Sequence, residues 1–332
     1  MYITAPSLDD LLAKVFQRLL VRGSRIEPTK GAATELSGIL LRLNSPRARL
    51  SRTETRGILF SCLGELLWYL KGTNRLDFIE YYISRYKQYS DDGESIFGGY
   101  GPRMFGKAGN AQILKVIELL RSKPDSRQAV VQIFDRADLI DAHLDVPCTC
   151  TLQFMVRERR LNLFVSMRSN DAYMGLPHDV FAFTMIQELV ARSLDLDLGH
   201  YKHFVGSLHL YDTDRRKAVE YLEEGGQPRV QMPPMPKNDP WTSVESLLAF
   251  EQQIRQSGRA LVTAQIPLHS YWMDLLRLLE IHALTKSPGN VSQIYRLRHE
   301  MSSEVYGLYI RKRIRRHLGP KDQLSIFETL PT

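Results

Sequence analysis

Apolar residues recur at helical spacing in several stretches of this chain. Residues 7–22 form an amphipathic pattern behind Ser7, a favoured helix N-cap, so the spacing predicts a helix there. Residues 55–71 are almost wholly apolar apart from Glu65, which predicts a buried helix with a carboxylate inside it. A buried acid needs a partner or a function. The same spacing returns in four later stretches, residues 179–194, 243–257, 269–285 and 291–318.

Other stretches have the pattern of strands. Residues 126–134 and 150–156 are short and rich in apolar residues, and residues 161–167 alternate apolar with polar positions. His209 and Tyr211 alternate within the sequence GSLHLY, so their side chains are expected on one face of a strand. The body of the protein is therefore predicted to mix helices and strands.

The chain is predicted to divide near residue 240. Gly and Pro are frequent between residues 225 and 240, which indicates a loop. We therefore expect a catalytic domain over residues 1–240, and a mostly helical C-terminal extension over residues 241–332 that packs on the same body.

Charge and cysteine content limit the possible functions. With 44 Lys and Arg against 37 Asp and Glu, the 332-residue chain has a formal net charge of +7, which favours anionic ligands without distinguishing nucleotides from nucleic acids. The three cysteines have neither disulfide-framework nor zinc-site spacing, so no metal is expected. The chain has no signal-like N-terminal run and no apolar run of about eighteen residues. We expect a cytoplasmic protein without membrane association.

A candidate nucleophile and a candidate anion site lie twenty residues apart. Cys148 follows Pro147 and could attack as a thiolate if a nearby cation such as Arg168 lowers its pKa. Arg168 and Ser169 together offer a bidentate cation and a hydroxyl, which suit a phosphate. Taken alone, Cys148 also fits a buried structural cysteine, and Arg168 a solvated surface charge.

Six separated blocks occur together in one order along the chain. They are GELLWYLKG (64–72), GGYG (98–101), DSRQAVV (125–131), Pro147-Cys148, RSNDAYMGLPHD (168–179) and GSLHLY (206–211). Over roughly residues 28–235 the chain thereby resembles the thymidylate synthase family. The resemblance implies an α+β fold with helices around a twisted mixed β-sheet, which lies at the interface of a homodimer. It also implies 5,10-methylenetetrahydrofolate as the co-substrate.

The resemblance also implies roles for matching residues. Cys148 becomes the nucleophile, Glu65 a general acid and base acting through water, and Tyr100 part of the polar network around the base. The remaining roles concern ligand binding. The resemblance implies that Arg168 and Ser169 bind the 5′-phosphate, with Arg127 donated by the other subunit. It also implies that His209 and Tyr211 bind the sugar 3′-hydroxyl and that Asp171 and Gly175 lie beside the folate.

Asp179 departs from the family pattern, which has asparagine at this position. An ionised carboxylate only accepts hydrogen bonds, so it cannot bond to O4 of uracil, which is also an acceptor, but it can accept from the N4 amine of cytosine. A protonated carboxyl group can also donate to cytosine N3. Asp179 could instead simply cap the helix that begins at Val180, but asparagine caps equally well. The exchange therefore predicts a cytidine monophosphate substrate, and Asp179 joins the catalytic and substrate-binding residues.

A second departure concerns the product. Members of the family carry paired tryptophans shortly before the tyrosine block, whereas residues 86–97 contain none. Weaker exclusion of water would let water, in place of hydride, add to an exocyclic methylene on C5. The sequence thus resembles the cytidylate 5-hydroxymethylase branch, which forms 5-hydroxymethyl-CMP or 5-hydroxymethyl-dCMP and releases tetrahydrofolate.

Further departures leave the sugar open. Gln128 replaces the second arginine of the family's Arg-Arg pair, for which Lys30 could compensate at the phosphate, and Ser207 replaces an aspartate. CMP and dCMP both remain possible substrates.

Two other classes of protein remain. A thymidylate synthase or a cytidylate C5-methyltransferase would produce dihydrofolate. A non-enzymatic nucleic-acid-binding protein would use the basic run at residues 311–316, which also fits a solvated helix face.

Overall fold

The computed structural model describes residues 1–28, 30–52, 58–106, 111–258, 267–287 and 289–317. The chain separates into two compact units. The first consists of Met1–Arg56 and Ser61–Pro240, and the second of Gly57–Phe60 and Trp241–Thr332.

A mixed sheet forms the centre of the first unit. Its strands within the described residues are β1 (Tyr2–Ala5), β2 (Ser24–Ile26), β3 (Ala33–Leu43), β4 (Val130–Gln132), β5 (Thr149–Arg157), β6 (Arg160–Asp171) and β7 (Asp197–Tyr211). The strand order is β1-β3-β7-β6-β5-β4, with β2 paired to β3. The β1/β3 and β6/β7 pairs are parallel and the others antiparallel. The predicted α+β class with a mixed sheet is confirmed.

Eleven α-helices lie within the described ranges. They are α1 (Leu8–Arg22), α2 (Leu59–Leu70), α3 (Leu76–Tyr82), α4 (Tyr100–Phe105), α5 (Gln112–Ser122), α6 (Gly175–Ser193), α7 (Asp212–Glu223), α8 (Trp241–Ser257), α9 (Ser270–Leu284), α10 (Val291–His299) and α11 (Gly307–His317). Short 3₁₀ helices cover Ser84–Tyr89, Arg136–Leu139 and Glu304–Tyr306. No helix among the described residues is long and apolar enough to cross a membrane.

The predicted N-terminal helix is confirmed together with its cap. The Ser7 side chain accepts a hydrogen bond from Asp10 N at 3.2 Å, and the apolar side of α1 is buried. Helix α2 buries Glu65, as its apolar sequence predicts. The prediction began this helix at residue 55, but residues 55–57 lie outside the described part of the chain.

The long helix predicted over residues 291–318 is wrong, because the structure has two helices separated by a turn. Asp274 explains the break: its carboxylate accepts hydrogen bonds from Ser302 N at 2.8 Å and from Ser303 N at 3.0 Å. These contacts hold the backbone out of helical geometry between α10 and α11. Residue 318 lies beyond the described residues.

Three strands bring the candidate residues to one edge of the sheet. Strands β6 and β7 run in parallel, with Ser169 opposite Ser207 and Asp171 opposite His209 near their carboxyl ends. Strand β5 is antiparallel to β6, and its first residue, Thr149, lies opposite Met167. Cys148, which directly precedes Thr149, therefore lies beside the ends of β6 and β7. The carboxyl ends of parallel strands are a common location for binding sites.

Candidate active site

Cys148 lies in a largely buried position beside Tyr100, whose hydroxyl accepts a hydrogen bond from Thr149 N at 3.2 Å. Burial raises the pKa of the Cys148 thiol to about 11; the Arg168 charge opposes this shift, while Asp145 and Asp179 add to it. The predicted effect of Arg168 is present, but burial outweighs it and the net shift is upward.

Arg168 holds the loop that carries the nucleophile. Its Nε donates to Pro147 O and its Nη2 to Val146 O, both at 2.9 Å. The side chain is exposed, so the guanidinium N–H groups that are not used in these two bonds can face an anion. Arg168 thus joins the predicted anion-binding position to the backbone immediately before Cys148.

Ser169 links the anion-binding position to the predicted sugar-binding pair. Its Oγ lies 3.5 Å from His209 Nδ1. The rings of His209 and Tyr211 are 4.9 Å apart at their centroids, so both lie on one face of β7 as the sequence predicted. The structure brings Ser169, His209 and Tyr211 together.

Glu65 is buried and uses both carboxylate oxygens. Tyr86 Oη donates to Oε1 at 2.5 Å, and His178 Nδ1 lies 2.7 Å from Oε2. Burial raises the pKa of Glu65, but His178 and the hydrogen-bond donors outweigh it and the net shift is downward. Burial lowers the pKa of His178, whereas Cys62 and Glu65 raise it, to a net value of about 10. The pair is therefore carboxylate and imidazolium near neutral pH.

Asp179 is the fifth residue of α6 and is also buried. Asn170 Nδ2 donates to Asp179 Oδ2 at 2.7 Å. Burial and the nearby charge of Glu65 raise the pKa of Asp179 to about 8, although the Asn170 hydrogen bond and His178 oppose the shift. Asp179 therefore carries a proton at neutral pH. It can both donate and accept, which corresponds to the protonated form among the two that the sequence analysis considered.

Asp171 shapes the turn between β6 and α6. Its Oδ1 accepts hydrogen bonds from Tyr173 N at 2.8 Å and from Met174 N at 3.2 Å, which is a typical Asx turn. A Cβ atom on Gly175 would lie 3.0 Å from Asn170 Nδ2 and 3.7 Å from Asp179 Oδ2. Gly175, predicted beside the folate, therefore makes room for the Asn170–Asp179 pair.

Comparison with known proteins identifies the family. The family model described as thymidylate synthase matches residues 10–252. The chain belongs to the thymidylate synthase family. Enzymes of this family use methylenetetrahydrofolate as a co-substrate. The described residues contain no group of three or more His, Cys, Asp or Glu side chains placed to hold a metal ion.

One curated relative within the hydroxymethylase branch is similar over part of its length. Deoxyuridylate hydroxymethyltransferase of Delftia phage PhiW-14 is 32% identical over 203 residues, which cover 57% of this chain and 56% of the relative. The chain thus spans just over half the length of this relative. The predicted membership of the thymidylate synthase family, with its hydroxymethylase branch, is supported by both comparisons.

Asp145 is an acidic residue near Cys148 that the sequence analysis did not identify. Burial raises its pKa to about 6, against the opposing charges of Lys30, Arg168 and Arg103. A Cβ atom on Gly98 would lie 2.4 Å from Asp145 Oδ2, so the first glycine of the GGYG block accommodates this carboxylate. The feature of the sequence that could have pointed to Asp145 is its position three residues before Cys148.

Lys30 and Arg127, the two other predicted phosphate ligands, have different surroundings. Lys30 Nζ lies 4.0 Å from the centre of the Tyr89 ring, and its charge acts on both Asp145 and Cys148. Lys30 is therefore near the site. The Arg127 side chain is exposed, and its backbone carbonyl accepts a hydrogen bond from Gln153 Nε2 at 3.0 Å.

Ser207, which departs from the family's aspartate, has an acidic partner on the neighbouring strand. Its Oγ donates a hydrogen bond to Glu35 Oε1. Glu35 is paired with His209 in the β3–β7 register. The carboxylate near the sugar-binding pair thus comes from β3, which the sequence analysis did not identify as a strand.

The basic run at residues 311–316 lies on α11. Arg313 donates from Nε to Thr285 Oγ1 at 2.9 Å and lies 3.1 Å from His282 Nδ1. Its guanidinium carbon is 5.2 Å from the centre of the Phe60 ring. Arg313 is thus part of the packing of the second unit. The side chain of Arg316 lies outside the described residues.

Proposed function

We propose that the protein transfers a one-carbon unit to C5 of a cytidine monophosphate and releases the 5-hydroxymethyl nucleotide. The observation that carries this proposal is that the buried Asp179 lies close enough for its charge to act on Cys148 and for the charge of Glu65 to act on it. Methylenetetrahydrofolate supplies the one-carbon unit. Asp171 fits this co-substrate, because its Oδ2 is not used in the turn and can accept a hydrogen bond from a pterin N–H.

Cys148 is proposed to lose its thiol proton to water and to add through Sγ to C6 of the base, which makes C5 a carbon nucleophile. The negative charge that develops spreads to N3, where a proton is needed. Asp179 holds such a proton at neutral pH and can donate it there. The substrate thereby supplies the electron sink that makes thiol addition possible despite the high pKa of Cys148.

Glu65 is proposed to accept, through water, the proton that C5 loses after the new carbon–carbon bond has formed. Its lowered pKa keeps it ionised and ready as a base. Loss of that proton, together with cleavage of the bond between the transferred carbon and the folate nitrogen, releases tetrahydrofolate and leaves an exocyclic methylene on C5. Water then adds to the methylene, and the bond between Cys148 Sγ and C6 breaks to release the product.

The nucleotide is proposed to bind with its phosphate on Arg168 and Ser169 and its 3′-hydroxyl on His209 and Tyr211. The 3.5 Å approach of Ser169 Oγ to His209 Nδ1 joins these two groups into one continuous polar surface. Lys30 adds a positive charge on the same side. The Ser207–Glu35 pair is next to His209 in the strand pairing and would thus lie near the proposed sugar position, with CMP and dCMP both kept as candidates.

A homodimer is proposed in which Arg127 of each subunit reaches the phosphate in the other. The exposed position of Arg127 leaves its guanidinium available for a partner. Apolar side chains on the same sheet are also exposed: Val130 by 41% and Phe204 by 42%. Such residues are suited to burial against a second subunit.

A uridylate substrate is the second candidate. The relative from Delftia phage PhiW-14 is named as a deoxyuridylate hydroxymethyltransferase. A protonated Asp179 offers one donor and one acceptor, so it can also serve O4 and N3–H of uracil if its two oxygens face the base in the opposite order. The order of donor and acceptor toward the base therefore separates the two substrates.

The decisive experiment incubates the protein with methylenetetrahydrofolate and each of CMP, dCMP, UMP and dUMP, followed by nucleotide mass spectrometry and dihydrofolate absorbance. A gain of CH₂O on a cytidylate without dihydrofolate supports the proposal and identifies the sugar. The same gain on a uridylate supports the second candidate. A methyl gain with dihydrofolate instead identifies a methyl-transferring synthase and overturns hydroxymethylation.

Two cysteine variants control this experiment. Cys148→Ser removes the attacking thiol, so product formation should fall by at least about a thousandfold. Cys150→Ser changes a half-buried cysteine two residues away and should leave turnover within about twofold. Equal activity of both variants would exclude covalent catalysis through Cys148.

A further inference from the structure

We infer that His178 is a positioning residue, whose imidazolium holds Glu65 as an ionised base in the orientation that the reaction requires. This role rests on the proposed function of Glu65. His178 lies in the first turn of α6, directly before Asp179, and only 12% of its side chain is exposed. Its Nδ1 lies 2.7 Å from Glu65 Oε2.

The second ring nitrogen of His178 also has a partner. Ser61 Oγ, one helical turn before Glu65 on α2, lies 3.3 Å from His178 Nε2. A serine hydroxyl can accept from a protonated nitrogen or donate to an unprotonated one. The ring is thus fixed at both ends by α2, so its orientation toward Glu65 is determined.

The opposite side of the Glu65 carboxylate is fixed as well. Tyr86 from the 3₁₀ helix Ser84–Tyr89 donates to Oε1 at 2.5 Å. A buried carboxylate held only by neutral donors would take up a proton more readily than an exposed one, because burial penalises its charged form. A cation on Oε2 is therefore what keeps the base ionised.

The surrounding charges support this assignment. The groups that act on Glu65 are His178 from α6, Tyr86 from the 3₁₀ helix and Tyr69 from α2 itself. Cys62 on α2 also acts on His178. Burial lowers the pKa of His178, and Cys62 and Glu65 reverse that shift, to about 10, so the imidazolium persists through the neutral range.

The neighbouring acid gives this arrangement its function. The charge of Glu65 is one of the causes that raise the pKa of Asp179, second only to burial. A charged His178 keeps Glu65 ionised, and the charge of Glu65 in turn favours the proton on Asp179, against the smaller direct effect of His178 on that acid. His178 lies between them in the chain and contacts Glu65 directly.

The test combines the pH dependence of kcat/KM with NMR of histidine side chains. His178→Gln can keep a donor toward Glu65 but removes the positive charge. The pKa of Glu65 should therefore rise, and the acid limb of the kcat/KM profile should move to higher pH. We expect kcat/KM to fall by about tenfold or more at pH 6, but by less than about threefold at pH 9. His178→Phe also removes the hydrogen-bond donor. Besides the shift of the acid limb, this variant should therefore show lower activity at every pH.

His203→Gln is the matched control. His203 is another buried histidine of the first unit, but its Nδ1 lies 2.7 Å from the hydroxyl of Tyr201 and not from a carboxylate. Its replacement should leave the acid limb in place. An equal fold loss at all pH values in His178→Gln would mean that His178 only fills space, and would overturn the inference.

The NMR measurement does not depend on turnover. The ¹⁵N signals that disappear in His178→Gln should show both ring nitrogens protonated up to about pH 8.5, and Glu65→Gln should make them titrate at lower pH. A neutral ring at pH 7 in the wild-type protein overturns the inference even if the enzyme is active. An imidazolium in a protein that converts none of the four nucleotides overturns the proposed function instead.

Discussion

Asn170 and Asp179 form a buried polar pair in which the amide Nδ2 donates to the carboxyl Oδ2 at 2.7 Å. Because Oδ2 accepts this bond in either protonation state, the proton that Asp179 holds near neutral pH belongs on Oδ1. Asn170 Oδ1 is buried and has no hydrogen-bond partner. A definite order of donor and acceptor in this pair is what the proposed distinction between cytosine and uracil requires.

Asp179→Asn should change the base preference. An asparagine amide can donate to O4 of uracil and accept from N3–H, so the ratio of kcat/KM for cytidylate over uridylate should fall by about tenfold to a hundredfold. Steady-state assays of both nucleotides by mass spectrometry measure it. Asp125→Asn, at a side chain that is 98% exposed, is the control and should leave the ratio unchanged. An unchanged ratio in Asp179→Asn would contradict base recognition by this residue.

The same substitution should alter the pH dependence of stability. An unfolded aspartate ionises near about pH 4, but folded Asp179 holds its proton up to about pH 8. Between these values the folded state binds more protons, so its stability decreases as pH rises. Asp179→Asn removes this titration. The Tm of the variant minus the Tm of the wild-type protein should therefore increase from pH 4.5 to pH 8.5, as measured by thermal unfolding. A constant difference would contradict the raised pKa.

Asp145→Asn should make Cys148 more reactive. Asp145 raises the pKa of the thiol, so removal of its charge should increase the thiolate fraction and speed alkylation by iodoacetamide about threefold or more at pH 8. Arg168→Gln should have the opposite effect, because Arg168 lowers that pKa. Rates are measured by peptide mass spectrometry in a Cys150→Ser background. Equal rates in the three proteins would show that neither charge acts on Cys148.

Donation of Arg127 between subunits predicts complementation. Cys148→Ser and Arg127→Glu homodimers should each have little activity. Random exchange of equal amounts makes half of the dimers mixed, and each mixed dimer contains one intact site, so activity should recover to about a quarter of the wild-type value. Turnover after reversible mixing measures it. Recovery should be absent if Arg127 serves the site of its own subunit.

The sequence predicts the positions of several residues better than it predicts their protonation. Ser7, the buried Glu65 and the alternation of His209 with Tyr211 each follow from local patterns, and the structure confirms their positions. The pKa values of Cys148 and Asp179 depend on burial and on charges that are distant in sequence, so local patterns could not give them.

Strand β3 illustrates a second limit of sequence patterns. Gly38, at a φ of +64°, interrupts the alternation of buried and exposed positions along this strand. Because an interrupted alternation is a weak strand signal, Glu35 could not be assigned to the sugar-binding side. Its partnership with Ser207 becomes evident only when β3 and β7 are paired.

The missing side chain at Gly175 sets a boundary for redesign of this enzyme. Even a methyl group there would crowd the Asn170 amide and approach the Asp179 carboxyl. Libraries that vary positions 170 and 179 together can therefore explore new base preferences only while position 175 stays glycine. The evolvability of this pocket is thus constrained by a residue that need not touch the nucleotide.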